Sequence, residues 1–226
     1  VLLLFLSPYY ALFEQTGSAW IIQAKSMDLT MFGFELLPSQ VHAVNPILVM
    51  VFAPVFAYGV YPLFDGFFPL TPLRKMSVGF FLTALSFLVP VYIEVLIAQG
   101  LTPTIWWQVL AYAIITAAEV MVSITALEFF YSQAPRRMKS LIMALKMLAI
   151  SLGNAFAAVV NVLIQGPDGE ATLTGPSYYL FFVGVMAVSS VLFIFFASTY
   201  EEKTYLQGEE EGDETSGAER VERSRV

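Results

Sequence analysis

The 226-residue sequence contains no cysteine and a single histidine, His42. The first absence excludes disulfides, thiolate metal sites and cysteine nucleophiles. The second leaves no set of histidines to hold a metal. Charge is scarce as well: Asp, Glu, Lys and Arg make up 13% of the chain, against about 25% in soluble domains. There is no Walker loop, no GxGxxG after a strand, no HExxH and no GxSxG, so the common nucleotide-binding and hydrolytic constellations are missing. No basic soluble surface invites nucleic acid. The polar clusters at the interfaces that would mark a membrane-embedded enzyme are also absent. We therefore expect neither enzymatic activity nor a cofactor.

Apolar residues are abundant instead, at 58% of the chain. They gather in six segments, over residues 1–24 (interrupted by Glu14-Gln15-Thr16-Gly17-Ser18), 41–64, 76–98, 105–131, 141–164 and 178–199. About 20 residues at a rise of about 1.5 Å cross a hydrocarbon core, and lipid tolerates such spans only as helices or closed barrels. The expected fold is all-α, a bundle of six transmembrane helices over residues 1–200. Residues 201–226 hold almost no large apolar side chains and much of the acid behind the net charge of −7, so they read as a disordered, solvated tail. The chain opens at Val1 inside an apolar run, without the basic region or cleavage site of a signal peptide. It reads as a fragment of a longer protein.

Basic residues alternate from loop to loop. Arg74 and Lys75 precede the third segment, and Arg136, Arg137 and Lys139 follow the fourth. The opposite side carries Lys25 alone, beside Asp28, Glu35, Asp168 and Glu170. The positive-inside rule puts the two basic loops and the acidic tail in the cytoplasm of a multi-pass protein of the plasma or inner membrane. Trp106 and Trp107, at the outer start of the fourth segment, fit an aromatic belt.

A few polar residues lie at depth. Glu119 falls near the middle of the fourth segment, where a carboxylate costs several kcal/mol unless it is protonated, paired or facing water. Ser123, one turn on, lines the same face. Glu128 is nine residues beyond Glu119, about 180° round an undistorted helix, and reads as a structural residue near the inner end. Glu14 shares a face with Gly17 and Ser18, either solvated near the outer end or turned to a pore. Lys146 falls between Glu119 and Glu128 in depth, and a lysine there either snorkels or pairs with a carboxylate. Asn45 opens the second segment and can bond across the bundle or to a substrate. Pro46, Pro54, Pro62 and Pro90, with Gly153, Asn154 and Asn161, fit ordinary helix packing in membranes.

Four blocks, ALFEQTGSAWIIQA (Ala11–Ala24), VNPILVMVFAPVF (Val44–Phe56), LRKMSVG (Leu73–Gly79) and AAEVMVSITALEFFYSQAPRRMKS (Ala117–Ser140), occur in this order. Together they resemble the C-terminal half of the proton-dependent oligopeptide transporters, a family of the major facilitator superfamily. The resemblance implies that the six segments are helices seven to twelve of a twelve-helix fold. It implies proton-coupled symport of di- and tripeptides or related solutes, with short peptides, protons, the lipid bilayer and a missing N-terminal six-helix half as partners. Glu119 then matches a glutamate that binds the peptide amine and couples to protonation. Glu14 matches an acidic position linked to proton coupling and the outer gate, with Gln15 beside it as a candidate for the substrate wall. Asn45 matches an asparagine near the peptide amine, and Ser123 joins Glu119 on that wall. Tyr10 and Lys146 stand where many members carry pocket tryptophans, so Lys146 replaces an aromatic wall with a cation. Half a transporter supplies one wall of the site, and the chain alone is not expected to transport. The alternative is a truncated, inactive half whose only role is to bind a partner.

Overall fold

The computed structural model describes residues 2–66, 71–132, 139–164 and 173–200. Arg136, Arg137, Asp168, Glu170 and the acidic tail lie outside the described residues. The first apolar segment forms α1 (Leu2–Phe13), tightens into a single 3₁₀ stretch over Glu14–Gly17 and resumes as α2 (Ala19–Ala24). The break falls where the sequence turns polar and meets a glycine, a poor helix former. There the Thr16 hydroxyl donates to the Phe13 carbonyl at 2.7 Å, giving the backbone a local alternative to the helical ladder.

A two-residue hairpin follows, β1 (Thr30–Met31) paired antiparallel with β2 (Phe34–Glu35). Phe32 and Gly33 form its turn with positive φ, +50° and +83°, the backbone that tight hairpins require. Hydrogen bonds from the Thr30 side chain and backbone hold the Asp28 carboxyl below the usual carboxylate range. The second span, Pro38–Phe64, comprises α3 (Pro38–Val41), α4 (Val44–Val55), a π-helical turn at Phe56–Val60 and α5 (Tyr61–Asp65). The third span is α6 (Pro72–Ala98), capped by the Thr71 side chain, which accepts from the Arg74 amide. The fourth joins α7 (Trp106–Glu119), a second π turn at Val120–Ile124 and α8 (Thr125–Ser132). The last two are α9 (Lys139–Ile164) and α10 (Pro176–Thr199).

Five of these helices, 24 to 27 residues each, are long and apolar enough to cross a membrane. The broken α1–α2 helix is the sixth member of the bundle. The six expected segments thus recur, with starts moved by a few residues.

The bundle packs α6 against α10 and α7, and α1 against α9. Two glycines permit the closest approaches. A side chain at Gly153 of α9 would put its first carbon 2.5 Å from the Ser7 carbonyl oxygen and 2.9 Å from the Ala11 nitrogen of α1. One at Gly79 of α6 would collide with Val122 and come within 3.2 Å of the Ala118 carbonyl. Between the helices lies an aromatic core of Tyr9, Trp20, Phe80, Phe87, Tyr112 and Phe193, all with at most 1% of their surface exposed. The short α2 is tied on three sides. Gln23 donates to the Pro90 carbonyl at 3.0 Å and to Glu94 at 2.9 Å. Gln108 donates to the Trp20 carbonyl at 2.7 Å, and Tyr179 to the Ala19 carbonyl at 3.1 Å. Buried carbonyls of α2 therefore find donors from two other spans, and α2 in turn supplies a donor to the third, as groups away from water require.

Candidate functional site

Glu119 is the last residue of α7 and leads directly into the π turn. It is half-buried, facing α4. Asn45, in the first turn of α4, is buried, and its side-chain nitrogen donates to Glu119 Oε2 and to Thr116 Oγ1, each at 3.1 Å. One amide NH₂ carries two hydrogens, so both acceptors are served by a single group. A carboxylate oxygen can only accept, which fixes the amide with its nitrogen toward Glu119. Thr116 precedes Glu119 by three residues and so shares its face. The clamp holds one carboxylate oxygen, and among the described residues no hydrogen bond occupies the other, which leaves its lone pairs for a ligand or a proton. Lys146, half-buried on α9, acts on the Glu119 carboxylate through its charge.

Ser123 points differently. Its hydroxyl shares a hydrogen bond of 3.0 Å with the hydroxyl of Tyr9 on α1. Glu119 is thus tied to α4 and Ser123 to α1, and the two residues bridge α7 and its π turn to both neighbours. Tyr10 is 4% exposed, and its hydroxyl, though near Ser123, makes no hydrogen bond among the described residues. Tyr9 stacks on Phe13 at 5.9 Å and meets Tyr10 edge-on at 5.1 Å.

Glu14 is exposed in the 3₁₀ break, close enough for its charge to act on Tyr9 and Tyr10. Among the described residues no hydrogen bond brings Gln15 to this cluster. It is 3% exposed and donates to the Ala11 carbonyl of its own helix at 3.3 Å. The break is braced from the second and fourth spans: the Tyr112 hydroxyl donates to the Thr16 carbonyl at 2.9 Å, and the His42 ring lies beside both Tyr112 and Gly17.

Sequence reasoning missed Tyr9 and Thr116. Thr116 was open to discovery through its three-residue spacing from Glu119. Tyr9 had no signal to separate it from Tyr10.

The π turn also changes the relation of the two acids. Nine residues at about 100° each place Glu128 half a turn from Glu119. A π turn takes up one extra residue, which brings the offset to about 80°. Glu128 is accordingly exposed and lines a cavity of about 550 Å³ between the second, third and fourth spans, together with Lys75, Tyr61 and Thr125. The expected opposite-face, purely structural placement assumed an undistorted helix.

Residues 1–175 match the sequence profile of one family, described as PTR2, POT family. Among curated proteins, Peptide transporter 3 of Caenorhabditis elegans is 47% identical over 79 residues, 35% of this chain and 11% of that protein. Peptide transporter PTR2 of Saccharomyces cerevisiae is 27% identical over 218 residues, 91% of this chain and 35% of its own length. Among solved structures, an auto-inhibited POT family peptide transporter superposes with a TM-score of 0.82 and 30% identity over 89% of this chain. The POT family transporter PepTSo gives a TM-score of 0.80 and 35% identity over 88% of this chain. Each match covers 40% of the solved transporter, so the chain spans well under half the length of these relatives.

Proposed function

Because the chain belongs to the POT family, a family of transporters and not of enzymes, we propose that it forms the C-terminal six-helix wall of a proton-coupled symporter for short peptides. The observation that carries the reading is the clamp at Glu119. A carboxylate at membrane depth, steadied on one oxygen by Asn45 and faced by the charge of Lys146, has two stable conditions. It is charged and paired, or protonated and neutral. The free oxygen suits a peptide ammonium in the first condition. Asn45, anchored also on Thr116, holds that geometry, Ser123 ties the π turn to α1 through Tyr9, and Glu14 at the helix break lies on the path from the outer side. Protonation changes the charge of the wall and so biases the outward- and inward-open states, by no more than the differential affinity of the two states for the proton.

Facilitators of this kind rock two six-helix halves about a midplane site. The second wall would come from an N-terminal half, the basic Arg74–Lys75 end would face the cytoplasm with residues 201–226, and the hairpin would lie outside. The test is reconstitution. The 226-residue chain alone in proteoliposomes should take up no labelled dipeptide under an inward pH gradient. The same chain co-expressed with the N-terminal six helices of a related peptide transporter should do so. Equal uptake with and without the second half would contradict the two-wall reading; none in either would contradict the transport reading.

A further inference from the structure

We propose that the cavity at the Lys75 end of the bundle is a second binding site for zwitterionic short peptides, separate from the Asn45–Glu119 site. The choice of ligand rests on the peptide-transport reading; the site itself rests on its own geometry. Its volume of about 550 Å³ falls inside the usual range for small-molecule pockets, about 300–1,000 Å³. Among the described residues its two charges stand on different helices, Lys75 on the first turn of α6 and Glu128 on α8.

Lys75 is held in place, with its Nζ 4.0 Å from the centre of the Tyr61 ring, a cation–π contact that positions the ammonium without neutralising it. The Tyr61 hydroxyl is buried and has no hydrogen-bond partner among the described residues, and the Thr125 hydroxyl lies beside it. A buried hydroxyl without a partner is a cost that a bound polar group removes. Ala57 and Val120, one from each π turn, form part of the apolar lining. Both helices are therefore distorted where the cavity lies, and the distortion in the fourth span is what turns Glu128 into it.

The charge pattern selects the ligand. One carboxylate, with no cluster of three metal-ligating side chains among the described residues, is too little for a divalent cation. A single lysine among the described lining residues is too little for a multiply charged anion. One positive and one negative group on separate walls match one carboxylate and one ammonium on the same small molecule. On the sidedness proposed above, this site is a station near the cytoplasmic exit.

Both charged groups named here belong to this chain, so the 226-residue protein in lipid nanodiscs is the material for the test, with alanyl-alanine as probe and calorimetry or saturation-transfer NMR as readout. The parent should bind the free dipeptide saturably. Glu128→Gln should weaken that binding by about ten- to a hundredfold, the loss of one charge-assisted contact. N-acetylation of the peptide should reproduce that loss and make Glu128→Gln silent. Lys75→Met should act likewise and fall silent with the C-terminal amide. Glu35→Gln, on the exposed hairpin, is the control for charge alone. If Glu128→Gln disturbs folding, the Lys75→Met and amidated-peptide arm still decides. No saturable binding by the parent, equal binding of capped peptides, or loss on Glu119→Gln without loss on Glu128→Gln would each overturn the proposal. Failure of the transport reading shows elsewhere, as absent pH-driven uptake by the two-half assembly.

Discussion

Tyr9 and Tyr10 are adjacent tyrosines with opposite prospects. Tyr9 shares its hydroxyl with Ser123 at 3.0 Å, whereas the Tyr10 hydroxyl is buried without a hydrogen bond among the described residues. A hydrogen bond of this kind contributes about 1 kcal/mol net, and an unsatisfied buried hydroxyl costs about 1–3 kcal/mol. Tyr9→Phe should therefore lower thermal stability in detergent by about 1 kcal/mol, and Tyr10→Phe should be neutral or stabilising. The reverse order would show that Ser123 belongs to Tyr10. Lys146→Trp removes the cation that acts on Glu119 and should weaken uptake of peptides with acidic side chains relative to neutral ones in the two-half assembly. Unchanged relative uptake would mean that Lys146 does not face the substrate.

At the scale of elements, close helix approach is the most exposed claim. Gly153 lies with no room for a side chain against Ser7 and Ala11. Gly153→Leu should push α9 off α1 at a cost of about 1–3 kcal/mol, the usual range for overpacking, read as a lower unfolding temperature. Much of this level was legible in the sequence. Apolar length alone marked the six segments, the polar run at Glu14–Ser18 marked the break in the first, and Gly153 was readable as a packing residue. The two π turns were not legible. A π turn is a change of hydrogen-bond register with no residue signature, and tertiary contacts fix it, so the helical-wheel placement of Glu128 was wrong by about one residue, about 100°. Deleting Ile124, an exposed residue of the second π turn that also lines the cavity, should restore plain α-helix and leave Glu128 about 80° from Glu119, because the π turn takes up that one residue; Glu128 should keep its effect on dipeptide binding. Loss of the Glu128 dependence would show that the turn does more than take up the extra residue.

The described residues form a multi-span helical bundle. The second span has a long exposed face, with Met50 at 80% and Tyr58 at 86%, apolar surface that lipid or another helical half would cover. The absence of cysteine makes sidedness easy to test. Arg74→Cys should react with a membrane-impermeant maleimide only from the cytoplasmic face, and Gln99→Cys only from outside. The opposite pattern would invert the orientation. The central claim is that Glu119, clamped by Asn45, couples proton movement to peptide movement, and one comparison tests it most directly. In proteoliposomes holding both halves, parent and Glu119→Gln should be compared for dipeptide counterflow without a gradient and for accumulation under an inward pH gradient. Glutamine keeps the shape and a hydrogen-bonding oxygen but does not titrate. The account predicts that Glu119→Gln keeps measurable counterflow at weakened affinity, about ten- to a hundredfold, and loses gradient-driven accumulation altogether. Accumulation by Glu119→Gln to the level of the parent would contradict it.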